Sequence, residues 1–266
     1  MSIPSEVQGR LERLEVPFNK DGVDPYGVSR HHLSRTFSIL GFFYRHYFSV
    51  RVRGVEHVPL RGRAMLVGNH SGGVALDALM VISACFFEME PPRLAQGMAE
   101  KFISRLPFAS PWTNMAGHFA GLPEHAVRFL RDDRLLLVFP EGSRGTAKLY
   151  KERHSLVRFG SGFVRLALAT KTPIVPFAFV GGGEAIPTVT NLYSLGKLVG
   201  APYIPLTPYL LPLPLPAKVA VCFGEPLRLD GTGNEDDTVI ESWVETVRDS
   251  ITGLIETGRD ARRGRT

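Results

Sequence analysis

Val67-Gly68-Asn69-His70-Ser71-Gly72-Gly73-Val74-Ala75-Leu76-Asp77 is the stretch on which the reading of the fold turns. The apolar run Ala64-Met65-Leu66-Val67 leads into it, and an apolar helical pattern leaves it through Phe87. A buried strand that breaks at glycines and then feeds a helix delivers a side chain to the rim of a sheet. A second stretch, Phe139-Pro140-Glu141-Gly142-Ser143-Arg144-Gly145, repeats the build after the continuous apolar strand 135–139. A third apolar strand, 173–180, is closed by Gly181-Gly182-Gly183. Helices are expected between and after these strands, over 74–87, 123–131, 156–170 and 236–256. Strands alternating with helices predict an α/β fold, with a mainly parallel central sheet flanked by helices.

Working outward, 266 residues suffice for one α/β domain with a sizeable core. Hydrophobic content of 44% against 21% charged argues for a folded chain. A net charge of +5 suits an anionic partner: a phosphate-bearing substrate, a membrane surface or nucleic acid. Nucleic acid is disfavoured, because the aromatics cluster with apolar residues instead of lining a basic stripe. Cys85 and Cys222 have no metal or redox spacing and read as reduced core residues of an intracellular protein. No metal site is expected. Residues 2–8 are polar and show no secretory leader. The expected location is cytoplasmic.

Ile3, Val7, Leu11 and Leu14 recur at helical spacing. Residues 28–48 read as a helix dense in aromatics (Phe37, Phe42, Phe43, Tyr44, Tyr47, Phe48) with Arg30, Arg35 and Arg45 between them. Two readings stay open: a helix packed on the main body, or an interfacial helix with aromatics at the acyl boundary. Residues 1–48 are expected as an N-terminal helical, membrane-associating segment, 49–258 as the main domain, and 259–266 as a flexible basic tail. Residues 198–217 are apolar but hold six prolines, so a spanning helix is excluded there. Within them, 203–216 reads as a loop over the core or as a surface that dips into lipid or lines an acyl chain.

His70 sits where a general base belongs. A neutral imidazole can take a proton from an alcohol attacking a thioester, and Asp77 can hold its tautomer and stabilise the imidazolium. The spacing needs a fold-back. On a continuous helix the two residues would lie about 10.5 Å apart along the axis. The pair forms only if 71–73 turns back and Asp77 occupies the first helical turn, which glycines allow. In the second stretch, Arg144 suits phosphate through its planar fork. Lys148, Lys151, Arg153 and Arg158 follow, as an anion-binding group or a solvated basic face.

These two blocks resemble motifs of the glycerolipid acyltransferase superfamily, typified by 1-acylglycerol-3-phosphate acyltransferases. Phe139 to Gly145 matches almost letter for letter, and Thr172-Pro173-Ile174-Val175-Pro176 matches a further block. The resemblance covers roughly residues 50–225. It implies His70 as base, Asp77 as its partner, and Glu141, Gly142, Ser143, Arg144 and Lys148 on the acceptor side. It further implies acyl-CoA or acyl carrier protein as donor, a glycerolipid hydroxyl as acceptor, and no cofactor or metal. Residues 49–258 would then be the acyltransferase domain, peripheral on the cytoplasmic face of a membrane.

Two features depart from the family pattern. Six residues separate His70 from Asp77 where four are usual, a block that also varies in neutral-glycerolipid branches. Gly117-His118-Phe119-Ala120-Gly121 lacks the arginine expected of the second block. These departures leave open a catalytically impaired lipid-binding or scaffold protein on the same fold. A serine hydrolase is disfavoured by the absence of any Gly-x-Ser-x-Gly elbow.

Overall fold

A computed structural model describes residues 3–71, 76–99, 119–120, 123–198, 200–210 and 213–264. Its strands are β1 (Arg51–Arg53), β2 (Ala64–Gly68), β3 (Ala95–Ala99), β4 (Phe119–Ala120), β5 (Leu135–Val138), β6 (Ile174–Val180), β7 (Thr190–Leu192), β8 (Ile204–Leu206) and β9 (Ala220–Phe223). The described helices are α1 (Ser5–Arg13), α2 (Arg30–Phe42), α3 (Leu76–Glu88), α4 (Pro123–Arg131), α5 (Ser143–Thr146), α6 (Gly162–Thr170), α7 (Gly182–Ala185), α8 (Tyr193–Leu198) and α9 (Asp237–Arg263).

Seven strands form the main sheet in the order β1-β9-β6-β2-β5-β3-β4. Every pairing is parallel except β6 with β9. The apolar runs explain the sheet. In β2, Ala64 and Leu66 enter one core layer and Met65 and Val67 the other. In β5, Leu135 and Leu137 face the first layer, and Leu136 and Val138 the second. With successive side chains on opposite faces, only a strand covered on both sides tolerates apolar residues at every position. Residues of α1, α2 and α3 build the first layer, and residues of α4, α6 and α9 the second. β2 lies between β5 and β6, so all three deliver their carboxyl ends to one edge.

The N-terminal helices belong to this core. Leu33, Phe37, Leu40, Tyr44 and Phe48 are buried. Phe37 stacks on Phe86 of α3 with centroids 3.7 Å apart, and the Tyr44 hydroxyl donates to Glu88 at 3.0 Å. The aromatic face therefore packs on the body, while Ile39 and Phe42 remain exposed. The expected single helix over 28–48 divides at Phe42, where α2 passes into a five-residue π-helix, Phe43–Tyr47.

The expected flexible tail is a correction. Helix α9 continues to Arg263, with Gly258 and Ala261 buried on the stripe begun by Ile240, Val244, Val247, Ile251 and Ile255. Arg262 donates to the Lys218 carbonyl at 2.6 Å and to Glu184 at 2.6 Å, which anchors the last turn. Helix α6 begins at Gly162 rather than near 156. The preceding chain is held extended by Val157 N–H on Glu141 and by Gly160 N–H on the Pro140 carbonyl.

The remaining strands β7 and β8 pair as a separate antiparallel ribbon. Beside it, Tyr193, Leu195, Leu198, Leu210, Leu213 and Leu215 are exposed. Among the described residues no helix is long and apolar enough to cross a membrane. The Gly72-Gly73 turn and the Gly117-His118 part of the second block lie outside the described residues.

Candidate active site

His70 follows β2 by two residues and Asp77 lies in the first turn of α3. The contact that the spacing left conditional is present. His70 Nδ1 lies 2.8 Å from Asp77 Oδ2, with both side chains almost wholly buried. Asp77 accepts from three donors: its Oδ1 takes the Ala78 N–H at 2.8 Å, and its Oδ2 takes the Ser71 N–H at 3.4 Å together with His70. A carboxylate at the start of a helix is further favoured by the helix dipole. With Asp77 accepting at Nδ1, the imidazole carries its proton there and keeps the Nε2 lone pair for a substrate hydroxyl. The ring is clamped by Phe139, stacked on it at 4.0 Å and 9°. Phe139 in turn meets Phe177 edge-on.

Asn69 fixes the strand end just before His70. Its side-chain amide donates to the Phe179 carbonyl at 3.1 Å and its Oδ1 accepts the Phe179 N–H at 2.9 Å, extending the β2–β6 pairing by one rung. The sequence reading assigned it no such part, although an amide at the end of a buried strand is suited to it.

Glu141 and Lys148 differ from their expected acceptor-side place. Glu141 is 1% exposed and Lys148 3%. Glu141 accepts the His70 N–H at 2.9 Å, the Val157 N–H at 2.8 Å and the Lys148 ammonium at 2.6 Å. The same ammonium donates to the His70 carbonyl at 2.7 Å. The pair thus holds both backbone groups of His70 from the neighbouring strand end. Burial pushes the Lys148 pKa down, against the opposing pull of Glu141. Lys148 is therefore withdrawn from the basic group in which it was expected. Arg153 leaves that group as well, turning to Glu184, while Arg158 is exposed near Glu241.

Gly142, Ser143 and Arg144 make the turn beyond Glu141. Gly142 has φ +57° and ψ −152°, a conformation open essentially to glycine alone. Arg144 is exposed, and its guanidinium makes one long contact, 3.4 Å to the Arg158 carbonyl. It is therefore available to an anion. Gly145 is pressed against the site. A Cβ there would come 2.8 Å from the His70 Cβ and 2.7 Å from the Glu141 Cβ. Gly145→Ala is thus expected to displace His70, lowering turnover between about ten- and a hundredfold and stability by about 1–3 kcal/mol. Steady-state kinetics and thermal melting of the variant check this.

The arrangement is a tautomer-fixed base at the mouth of the sheet edge, with an exposed guanidinium, Arg144, three residues after Glu141. A family model described as Acyltransferase matches residues 49–180, which contain all of these groups. An uncharacterised protein of Mycobacterium tuberculosis is 37% identical over 241 residues, covering 86% of this chain and 67% of that protein. The human protein named "DGAT1/2-independent enzyme synthesizing storage lipids" is 24% identical over 209 residues, covering 77% of this chain and 60% of its own length. The chain thus spans about two thirds or less of these relatives. The crystal structure of the 1-acyl-sn-glycerophosphate acyltransferase PlsC from Thermotoga maritima superposes with a TM-score of 0.58 at 17% identity, over 85% of this chain and 78% of that one. That likeness shows the shared α/β architecture. With its two sequence blocks joined at one sheet edge, the chain belongs to the acyltransferase family, within the glycerolipid acyltransferase superfamily.

Proposed function

We propose that the protein moves a fatty acyl group from acyl-CoA or acyl carrier protein to a hydroxyl of a glycerolipid such as a lysophospholipid, with His70 as general base. The observation that carries this reading is the 2.8 Å contact between His70 Nδ1 and Asp77 beside the exposed Arg144. The acceptor hydroxyl gives its proton to His70 Nε2 as its oxygen attacks the thioester carbonyl. The tetrahedral intermediate then expels the thiolate, the C–S bond breaks, and the thiol leaves with the proton held by His70. Charge conservation needs no further reactant. Asp77 stabilises the transient imidazolium, and Arg144 binds the acceptor's phosphate or polar head. Glu141 and Lys148 act as positioning residues through the His70 backbone, while Gly142 and Ser143 shape the turn that presents Arg144.

The human relative, named as an enzyme synthesizing storage lipids, supports a lipid-synthetic role and the inclusion of neutral acceptors in the test. The exposed apolar side chains around β7 and β8 suit a membrane surface, from which such acceptors would be taken. The protein then works on the cytoplasmic face of that membrane. The test is thiol release by the purified chain from acyl-CoA and from acyl-acyl carrier protein. The acceptor panel is lysophosphatidate, zwitterionic lysophospholipids, monoacylglycerol and diacylglycerol. Release that depends on one acceptor class supports the reading and names the acceptor. Release equal to the acceptor-free rate with both donors and every acceptor contradicts it.

A further inference from the structure

Three segments far apart in sequence converge on Glu184. Arg153 and His154 come from the loop after residues 150–152, Lys218 precedes β9, and Arg259, Arg262 and Arg263 come from the last turns of α9. They line a cavity of about 450 Å³. Glu184 meets Arg262 at 2.6 Å, Arg153 at 3.4 Å and His154 at 3.6 Å. Burial disfavours the Glu184 carboxylate, but the hydrogen bond and charge of Arg262 outweigh it and lower its pKa.

One carboxylate cannot neutralise this wall. Arg259 and Arg263 have Glu256 and Asp260 as neighbours on their own helix, but Lys218 is exposed and has no ion-pair partner among the described residues. Glu184 and the Lys218 carbonyl instead orient the Arg262 fork, leaving an excess of cations around a concave space.

The cavity also adjoins the catalytic stretch. A Cβ on Gly182 would lie 2.0 Å from Ser71 Oγ, one residue from His70, and a Cβ on Gly183 would lie 2.4 Å from the Arg153 Cβ. The glycines therefore let α7 act as a thin wall shared by two compartments. The buried Ser71 hydroxyl on that wall has no hydrogen-bond partner among the described residues.

We propose that this pocket is a second anion site, distinct from Arg144, which binds the phosphate or diphosphate group of a substrate. Resting on the acyl-transfer reading, two sources of that chemistry are at hand: the nucleotide end of a coenzyme A thioester and the headgroup of an anionic phospholipid. The diphosphate lies among Lys218, Arg259 and Arg263, backed by Arg262, with the rest of its molecule directed over α7 toward His70.

The test uses the full chain and the charge-reversal variant Lys218→Glu/Arg263→Glu, with Arg259→Gln as a milder second variant. Neither touches the His70 network, and thermal melting verifies their folding. Calorimetric titration with inorganic pyrophosphate and with coenzyme A is set beside sedimentation with phosphatidylcholine vesicles, with and without phosphatidylglycerol. Pyrophosphate affinity is expected to fall by about tenfold or more in the double variant. A parallel fall for coenzyme A, with vesicle binding retained, identifies the donor nucleotide. A parallel fall for anionic vesicles, with coenzyme A binding retained, identifies the headgroup. Pyrophosphate, coenzyme A and vesicle binding all within about twofold of the wild type would overturn the proposal. These are binding measurements, so they stand even where the acceptor panel shows no turnover, and the two readings can fail separately.

Discussion

Asp77→Asn is expected to lower acyl transfer by about 10³- to 10⁴-fold while leaving the fold intact. The reason lies in the donors around the carboxylate. Asp77 Oδ1 accepts the Ala78 N–H, and Oδ2 faces His70 Nδ1. An asparagine keeps the Ala78 bond only by setting its carbonyl oxygen at the Oδ1 position, which aims its NH2 at His70. Nδ1 must then be the acceptor, so the imidazole proton moves to Nε2 and the base is lost. The opposite amide orientation sets NH2 against the Ala78 N–H, two donors face to face. Long-range proton–nitrogen NMR reads the tautomer directly: protonated at Nδ1 in the wild type, at Nε2 in the variant. A variant with the Nδ1 tautomer and full turnover would remove Asp77 from the mechanism.

Lys148→Met should be the most destabilising single change near the site, by about 3–5 kcal/mol, because it strands the Glu141 carboxylate in the interior. Lys148 and Glu141 are fully enclosed and meet at 2.6 Å, so neither can turn to water. For a chain of this size the loss corresponds to a fall in melting temperature of roughly 6–20 °C. The double variant Glu141→Gln/Lys148→Met removes both charges and should recover much of that stability. Turnover should not recover with it. The ammonium is gone from the His70 carbonyl, and an uncharged amide replaces the carboxylate that binds the His70 N–H. Stability that separates from activity in this way marks the pair as positioning residues. A Lys148→Met variant that melts within 2 °C of the wild type, a shift of about 1 kcal/mol or less, with normal turnover would show that the buried bridge is dispensable.

Much of this architecture can be read from the chain because it rests on local patterns. The runs at 64–67, 135–138 and 174–180 are apolar at successive positions, which only a doubly covered strand satisfies. His70 is legible for the same reason, as the first ionisable group beyond such a strand. Its contact with Asp77 was conditional on a fold-back that spacing alone leaves open, and the 2.8 Å distance resolves the condition. Glu141 and Lys148 were placed on the acceptor side by the family resemblance. Their burial comes from the meeting of two strand ends 71 residues apart in the chain, which no local pattern records. The extension of α9 carried a signal that charge concealed. Gly258 and Ala261 continue the apolar stripe with small residues, while Arg259, Arg262, Arg263 and Arg265 suggested a frayed end.

The central claim is that the His70 imidazole removes the acceptor proton as the acyl group moves. Mass-spectrometric counting of the acylated glycerolipid, formed by equal folded amounts of wild type and His70→Ala on the same vesicles and donor, tests it most directly. The account predicts product formation lowered by about 10³-fold, with donor binding unchanged. Product appearing in the alanine variant within about threefold of the wild-type rate would contradict it, since the loss of a general base costs at least about a hundredfold.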